Sequence, residues 1–241
     1  MPKPLLALAA DSFLPRWDGI ARVLIELVPQ LVQDFNVRLL VPDYLGDRPQ
    51  WDDVTYHLFP LLPILRIEGA GVPLVSSAVI DRALDGVDLL WTHTTGPIGG
   101  KAARIASKRS IPVVSMIHSI EWDIYAQNLP FAQARFRKFW LNACRRRYNK
   151  AQQILTPSQA TKAILEALQF IPPITVTPLG IDTDRFQPRT RLERNKRRQA
   201  LNIPQDAFVF GYLGRFGAEK NLQVLLDAFT RLDAPKTHLL M

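Results

Sequence analysis

Short apolar runs that alternate with helical patterns constrain the fold of this chain more than any other feature of its sequence. The run PLLALAA at residues 4–10 precedes a helical pattern over residues 19–34, and the run IPVVSMIH at residues 111–118 precedes a basic helical segment. Continuous apolar runs of this length are typical of strands in a parallel sheet, because crossover helices bury both of their faces. The alternation therefore predicts an α/β fold built on a parallel sheet.

A pair of adjacent prolines predicts that the chain divides into two domains. The sequence FIPP at residues 170–173 ends a helical pattern that begins after Ser158, a predicted N-cap. With 241 residues the chain suits one large domain or two modest ones. We therefore predict a Rossmann-like domain over residues 1–172 and the beginning of a second over residues 173–241. The Pro- and Gly-rich residues 61–75 are predicted to form a long loop.

The composition is that of a globular protein with a basic balance. Hydrophobic residues make up 47% of the chain, and 30 Lys and Arg outnumber 22 Asp and Glu, giving a net charge of +8. This balance favours anionic partners and does not choose among nucleotide phosphates, anionic lipid and nucleic acid. The single Cys144 excludes an internal disulfide and is compatible with a reducing compartment. Without a leader pattern or a bilayer-length apolar run, we expect a cytoplasmic protein, at most peripheral at the inner membrane face.

The stretch FVFGYLGRFGAEKNLQVLLDAF at residues 208–229 predicts a strand, a glycine-bearing loop and the start of a helix. Glycine allows a backbone to approach a ligand closely, and a helix N-terminus favours phosphate. Arg215 and Lys220 flank the loop with a forked and a compact positive charge. These parts suit a diphosphate site. A plain strand-to-helix connection with two solvated cations is the alternative.

The same stretch resembles the GR-x-x-x-EK-G/N motif of the retaining GT-B glycosyltransferases of family 4. TPLGIDTDRF at residues 177–186 is similar to that family's PNG-V/I-D-x-x-x-F, and the resemblance covers most of the chain. It implies a GT-B-like fold with an acceptor-side N-terminal domain and the incomplete beginning of a donor-nucleotide-binding domain. It also implies a retaining hexosyltransferase that moves a sugar from a nucleotide-sugar donor to a glycan or lipid-linked acceptor. Because the family's later Glu-x₇-Glu motif is missing, we expect incomplete donor binding by this chain alone.

The resemblance assigns the donor diphosphate to Arg215 and Lys220, together with backbone N–H groups near Gly217. Such groups would stabilise the leaving nucleoside diphosphate electrostatically. The cationic pair makes a divalent metal unnecessary, and the sequence has no D-x-D motif. We therefore expect neither a metal site nor a cofactor other than the nucleotide-sugar substrate.

The loop DSFLPRWDG at residues 11–19 resembles the family's opening loop, in which a Gly pair brings backbone N–H groups to the donor phosphate. Asp18 replaces the first Gly, so Gly19 alone is predicted to bind the phosphate. A carboxylate beside a diphosphate repels it unless it points toward an acceptor hydroxyl, which makes Asp18 an acceptor-side candidate. Arg22, one turn into the helix, either compensates this charge or is an ordinary surface arginine.

Two predicted strands end in histidine. DLLWTH at residues 88–93 ends in His93 and the later strand ends in His118, at the sheet edge where open α/β folds bind ligands. The resemblance implies that His118 reaches the donor sugar and the acceptor. There a neutral imidazole hydrogen-bonds a hydroxyl and stabilises developing charge without acting as a general base. Glu121 is an acceptor-side candidate, and His93 is either another or a hydrogen-bonded structural residue.

Of two other nucleotide-binding motifs, the sequence excludes a Walker A loop and disfavours a dinucleotide-binding loop. In TTGPIGGK at residues 94–101, Thr95 occupies the first Gly position of a Walker A loop and Ala102 follows the Lys. The first strand is followed by DSFLPRWDG and not by G-x-G-x-x-G, which disfavours a dehydrogenase.

Residues 124–165 contain no acidic residue, and they predict an amphipathic helix with a basic outer face. Its predicted apolar stripe consists of Phe136, Phe139, Trp140, Ala143 and Cys144. The basic face is either solvated or docks on anionic lipid. The residues predicted to contact lipid are Arg135, Arg137, Lys138, Arg145 and Arg146.

A second basic helical pattern, over residues 190–201, is interpreted as a solvated face, and no nucleic-acid partner is expected. The alternative function is a non-catalytic basic protein that binds an anionic membrane or nucleic acid. Such a protein would bind polyanions with steep salt dependence and without nucleotide selectivity.

Overall fold

The structure, a computed structural model, describes residues 2–67, 70–127, 131–214, 216–217, 220–232 and 234–241. It separates into two compact units, Met1–Gly180 and Ile181–Met241. The strands are β1 (Leu5–Ala9), β2 (Asn36–Pro42), β3 (Val54–Phe59), β4 (Leu61–Ile67), β5 (Ala70–Pro73), β6 (Leu89–Thr92), β7 (Val113–Met116), β8 (Gln153–Thr156), β9 (Ile174–Val176), β10 (Phe208–Gly211) and β11 (Thr237–Leu240). The helices are α1 (Gly19–Leu31), α2 (Ser77–Ala83), α3 (Pro97–Lys108), α4 (Glu121–Gln127), α5 (Gln133–Tyr148), α6 (Gln159–Ala167), α7 (Arg191–Ala200) and α8 (Leu222–Thr230).

A seven-stranded parallel sheet with the order β3-β2-β1-β6-β7-β8-β9 forms the centre of the first unit. From β1 the chain builds outward through β2 and β3, and it then returns to place β6 on the other side of β1. The strand order thus reverses between β1 and β6. Ligands of open α/β sheets bind outside the carboxyl ends of the strands at such a reversal. The predicted parallel α/β fold is confirmed.

Strand β1 is buried on both faces, as its apolar sequence predicts. Leu6 and Leu8 pack in one core cluster, while Ala7 and Ala9 pack in a second on the other face. Helix α1 contributes Leu24 and Val28 to the first cluster, and α2 and α3 cover the second. The alternation of side chains along a strand places successive residues on opposite faces, so both layers of helices hold the same strand.

The predicted long loop at residues 61–75 is wrong in part, because β4 and β5 pair there as an antiparallel two-stranded sheet. Leu61 pairs with Pro73 and Ile67 with Ala70, with an irregular register between. Strands can pair through their backbone N–H and C=O groups even where apolar and polar residues do not alternate. The sequence pattern therefore did not indicate these two strands.

The structure divides the chain later than the predicted boundary between residues 172 and 173. Strand β9 lies after the proline pair and is the edge strand of the first sheet, where Ile154 pairs with Ile174. Helix α6 already ends at Ala167, and the amide of Ile154 donates to the carbonyl of Pro173 at 2.9 Å, so the proline pair lies within the first unit. The acceptor-side and donor-side roles of the two domains stay predictions.

In the second unit, β10 and β11 pair in parallel, and β10 leads into α8. This confirms the predicted order of strand, loop and helix, although β10 ends at Gly211, before Leu213. Few side chains are buried here: among the described residues of this unit they are Ile203 and Ala207.

Candidate active site

Three polar residues follow the carboxyl ends of neighbouring strands in the first unit. Asp11 follows β1, His93 follows β6 and His118 follows β7. The amide of His93 donates to the carbonyl of Ala9 at 2.9 Å, which extends the ladder by one residue. Because the strands are parallel, their ends meet at one edge of the sheet.

The two histidines predicted at strand ends form a pair. His93 Nδ1 and His118 Nε2 lie 3.0 Å apart, and the two rings stack with centroids 5.2 Å apart. The ring of Trp91, two residues earlier in β6, lies 5.0 Å from that of His93. One of the two facing nitrogens must carry the proton and the other must accept it, so each ring sets the tautomer of the other.

Both histidines are neutral at pH 7. Burial lowers the pKa of His118 to about 4, although the negative charge of Asp18 opposes the shift. Burial also lowers the pKa of His93 well below its usual value, and the neighbouring His118 adds to the effect. His93 is only 1% exposed, and no described residue bonds its Nε2. These contacts favour the interpretation of His93 as a hydrogen-bonded interior residue that holds His118.

Asp18 caps helix α1. Its Oδ1 accepts from the amides of Ile20 at 3.0 Å and Ala21 at 2.9 Å, while the hydroxyl of Ser12 donates to Oδ2. Arg16 Nε lies 3.5 Å from Oδ2. An Asp at the N-cap satisfies otherwise free amides and interacts favourably with the helix dipole. This local role explains why a carboxylate stands where the resembling motif has Gly.

Gly19 is the first residue of α1 and is exposed, and a side chain built there would meet nothing within 4 Å. Packing therefore does not require glycine at this position. Arg22 Nη2 pairs with Glu26 Oε1 at 2.8 Å, one turn along the same helix. Such a pair favours the interpretation of Arg22 as an ordinary surface arginine.

Glu121 is tied to the interior of the first unit. Its Oε2 accepts from Thr95 Oγ1 at 2.7 Å and its Oε1 from the hydroxyl of Tyr148 at 3.1 Å. Burial raises the pKa of Glu121, and the negative charge of Asp11 raises it further against the opposing effect of Arg147. The contacts join α4 to α5 and to the segment after β6, and the predicted acceptor-side role of Glu121 stays a prediction.

Asp11 is a structural residue at this edge that sequence reasoning did not assign. Its carboxylate accepts from the amides of Ile98 at 2.7 Å and Gly99 at 3.2 Å and from the hydroxyl of Thr94. Asp11 thereby caps α3 from the end of β1. The only local signal is an Asp directly after a buried strand, because the capped amides lie 87 and 88 residues further along the chain.

Two glycines of the rejected Walker A segment have a packing role. A side chain at Gly96 would collide with the Asp11 carboxylate, and one at Gly99 would collide with the carbonyl of Thr94. Their small size lets α3 start close against β1 and β6.

The predicted diphosphate loop is described in part. Arg215 lies outside the described residues. Lys220 is exposed, and its amide donates to the carbonyl of Gly217 at 3.0 Å. Helix α8 begins two residues after Lys220, so this side chain stands beside a helix N-terminus. The contacts of Gly217 and Lys220 with a diphosphate stay a prediction.

Helix α5 buries a shorter stripe than its sequence predicts. Ala143 and Cys144 are buried as predicted, but Phe139 is 61% exposed, so its place in the stripe is wrong. The buried positions of α5 lie in its C-terminal half, which packs on Trp122 and Phe170.

The five basic residues predicted to contact lipid divide into two groups. Arg137 pairs with Asp123, and Arg145 donates to the carbonyl of Leu168 at 3.3 Å. The remaining three are exposed: Arg135, Lys138 and Arg146.

Across the described ranges, no group of three or more His, Cys, Asp and Glu side chains is arranged to hold a metal ion. The same part of the chain contains no helix that is long and apolar enough to span a membrane.

Comparison with known sequences identifies a family and several relatives. Residues 17–185, well over half of the chain, match glycosyltransferase family 4. A GDP-mannose-dependent alpha-mannosyltransferase of Mycobacterium tuberculosis is 26% identical over 230 residues, which cover 91% of this chain and 58% of the relative. A D-inositol 3-phosphate glycosyltransferase of Stackebrandtia nassauensis is 28% identical over 196 residues, which cover 76% of this chain and 42% of that relative.

Comparison with solved structures supports the same fold. HepE from Anabaena, solved in complex with UDP and glucose, superposes with a TM-score of 0.64 at 17% identity. The match covers 99% of this chain and 60% of HepE. The predicted GT-B-like α/β class is confirmed. The chain spans roughly three fifths of the mycobacterial relative and of HepE, at 58% and 60%.

Proposed function

Because this chain belongs to glycosyltransferase family 4, we propose that it acts in the retaining transfer of a hexosyl group from a nucleotide sugar to a glycan or lipid-linked acceptor. The mycobacterial relative is named as dependent on GDP-mannose, and HepE was solved with UDP and glucose. The shared chemistry is a nucleoside diphosphate. The non-catalytic alternative finds no support among relatives that are named as glycosyltransferases.

The observation that carries this proposal is the neutral histidine pair after β6 and β7, next to the reversal of the strand order between β1 and β6. If His93 Nδ1 donates to His118 Nε2, the unpartnered Nε2 of buried His93 is an acceptor. The opposite tautomer would bury an unpaired N–H, which proteins tolerate less well than an unpaired acceptor. The first tautomer leaves His118 with a proton on Nδ1. His118 thus presents a fixed N–H donor to a sugar hydroxyl or to developing negative charge.

The diphosphate would be held by Arg215 and Lys220 with amides near Gly217, and the amide of Gly19, an exposed residue at the start of α1, would add a donor. Cations and helix N-termini are both suited to a leaving diphosphate. Asp18 serves this arrangement as the cap that begins α1. Its negative charge also partly offsets the effect of burial on the pKa of His118.

The test of the transferase proposal is turnover of UDP-glucose and GDP-mannose by a His118→Ala variant. We expect this variant to lower kcat by about a hundredfold or more, in the range of a lost charge-stabilising donor. The far-ultraviolet circular dichroism spectrum should be unchanged. His57→Ala removes a half-buried histidine from edge strand β3 and serves as the matched control with near-normal turnover. Wild-type turnover in His118→Ala would contradict the proposal.

We also propose that α5 docks the protein peripherally on anionic lipid at the cytoplasmic face of a membrane. Phe131, two residues before α5, is 83% exposed, and Phe139, within α5, is 61% exposed. Arg135 and Lys138 are exposed residues of α5, and neither has an ion-pair partner among the described residues. Apolar rings that enter the interface and cations that face anionic headgroups are the features of an interfacial helix.

Sedimentation with vesicles tests the docking proposal. Phe131→Ser with Phe139→Ser should weaken binding to vesicles that contain phosphatidylglycerol. Leu192→Ser with Leu201→Ser removes two exposed apolar side chains of the second unit and should leave binding unchanged. Equal binding of the wild-type protein to neutral and anionic vesicles would contradict the proposal.

A further inference from the structure

A groove of about 420 Å³ lies between α3 and α5 in the first unit. Its volume is within the range of small-molecule sites. Five of its lining residues are cationic and none is acidic. The cations are Lys101, Arg104, Arg146, Arg147 and Lys150.

Neutral partners hold three of these cations in place. Lys101 Nζ donates to the carbonyl of Val75, Arg147 Nη1 donates to the carbonyl of Thr95 at 2.6 Å, and Arg104 Nη2 lies 3.4 Å from Ser77 Oγ. The Arg147 guanidinium also lies over the ring of Trp140, 5.4 Å from its centroid. These contacts orient the groups without neutralising them.

Ion pairing does not account for the charges. In the described part of the chain, none of the five cations lies within 4.0 Å of a carboxylate oxygen. Asp11 and Glu121 act on Arg147 at longer range, and both carboxylates are already bonded to neutral partners. Five like charges around one concavity repel one another, so an anion that enters it relieves that repulsion.

The N-terminus of α3 is not the source of this anion preference. Its amides at Ile98 and Gly99 are taken by the Asp11 carboxylate, on the inner side of the helix. The positive potential of the groove therefore comes from side chains of α3, of α5 and of Lys150, which lies two residues after α5.

We propose that this groove binds a phosphate-bearing anion; its lining residues include neither histidine of the pair and no residue of the predicted donor loop. Three guanidinium groups offer forked donors that match phosphate oxygens, and two ammonium groups add point charges. The phosphate belongs either to a lipid headgroup or to a soluble phosphate compound. The proposal does not depend on sugar transfer.

Calorimetric titration of the 241-residue chain with inorganic phosphate and pyrophosphate tests the site. Arg104→Gln with Lys150→Gln should weaken binding by about tenfold or more, since each lost charged hydrogen bond contributes strongly. The matched control is Arg194→Gln with Lys196→Gln, which removes one Arg and one Lys from the exposed face of α7. UDP and GDP binding should stay unchanged in the groove variant, which separates this site from the proposed donor site.

A vesicle arm distinguishes the two sources of phosphate. Phosphatidylcholine vesicles with and without phosphatidic acid are sedimented with the wild-type, groove and control proteins. Loss of vesicle binding in the groove variant alone, without measurable binding of soluble phosphate, assigns the site to a lipid headgroup. Loss of soluble phosphate binding in the groove variant, without vesicle binding by the wild type, assigns the site to a soluble compound. Loss of both soluble phosphate binding and vesicle binding in the groove variant shows that the groove accepts phosphate from both sources. Equal weakening in the groove and control variants, or binding to neither probe, would overturn the proposal.

Discussion

The 3.0 Å contact between His93 Nδ1 and His118 Nε2 ties together two rings that resist protonation. Burial lowers the pKa of each ring, and a positive charge on either would face the other at contact distance. A neutral, oriented donor can polarise a substrate oxygen at neutral pH without a proton transfer. The contact therefore keeps both imidazoles neutral and fixes the orientation of the His118 ring.

The pair predicts acid sensitivity of the first unit. Both histidines have folded pKa values below the unfolded value of 6.5, so the unfolded chain takes up protons that the folded chain refuses. Stability should therefore fall as the pH falls from 6.5 toward 4, by about 1.4 kcal/mol per pH unit for each blocked proton. Urea unfolding followed by tryptophan fluorescence measures this, because all five Trp residues lie in the first unit.

The double variant His93→Gln, His118→Gln is the comparison for this slope. Burial raises the pKa values of Asp11 and Glu121, and their contribution runs in the opposite direction, with stability lost as pH rises. That contribution is common to both proteins, so the difference in slope isolates the histidines. Identical slopes would contradict the buried, neutral pair.

Cys144 should be chemically inert in the folded protein. Burial raises the pKa of its thiol to about 12, so almost no thiolate is present at neutral pH. It is the only cysteine, and therefore labelling stoichiometry reports on it alone. We expect slow reaction with a disulfide reagent in native buffer and complete reaction in guanidinium. Rapid labelling of the native protein would show that the thiol is accessible.

At the scale of single elements, the N-terminus of helix α3 is capped by a residue that follows strand β1. Asp11 at the end of β1 takes the amides of Ile98 and Gly99, and Gly96 leaves room for its carboxylate. The cap of α6 is local by comparison, since Ser158 Oγ accepts from the amide of Thr161 at 3.1 Å. Because the capping residue of α3 follows β1, formation of the first turn of α3 is coupled to the addition of β1 to the sheet.

This coupling predicts that Asp11→Ala is more destabilising than Ser158→Ala. Loss of Asp11 leaves two amides and the Thr94 hydroxyl without their acceptor, at a cost of about 2–4 kcal/mol. Loss of the Ser158 cap should cost about 1 kcal/mol. Urea midpoints from tryptophan fluorescence compare the two variants. An Asp11→Ala variant as stable as Ser158→Ala would show that the Asp11 cap contributes no more to the free energy of unfolding than the local Ser158 cap.

For the molecule as a whole, the candidate catalytic groups and the predicted donor loop belong to different units. The histidine pair belongs to the seven-stranded sheet, and Lys220 belongs to the loop between β10 and α8. In the second unit large apolar side chains are exposed, including Phe208 at 63% and Leu213 at 101%. This unit therefore relies less on a buried core than the first.

The predicted donor role of the loop between β10 and α8 implies a separate effect on nucleotide binding. Lys220→Gln should weaken UDP or GDP binding by about tenfold, because a charged contact to the diphosphate is lost. In turnover, the donor KM should rise and kcat should fall together. Lys196→Gln, on exposed α7, removes the same charge from the same unit and should bind normally. Unchanged affinity in Lys220→Gln would remove this residue from the donor site.

The sequence by itself determined the features whose causes lie within a few residues. The buried strand β1, the cap at Ser158 and the order of strand, loop and helix from β10 to α8 were predictable, because periodicity, caps and glycines act locally. The histidines were placed at strand ends for the same reason.

Only the tertiary structure decided which of these residues meet. His93 and His118 are 25 residues apart, Asp11 caps amides 87 and 88 residues away, and β9 joins the first sheet after a proline pair that resembled a boundary. The groove cations come from α3 and from the end of α5 and beyond, separated by about forty residues. The order of the parallel strands brings such positions together. A local sequence pattern does not predict this order, because strand neighbours depend on the packing of the whole sheet.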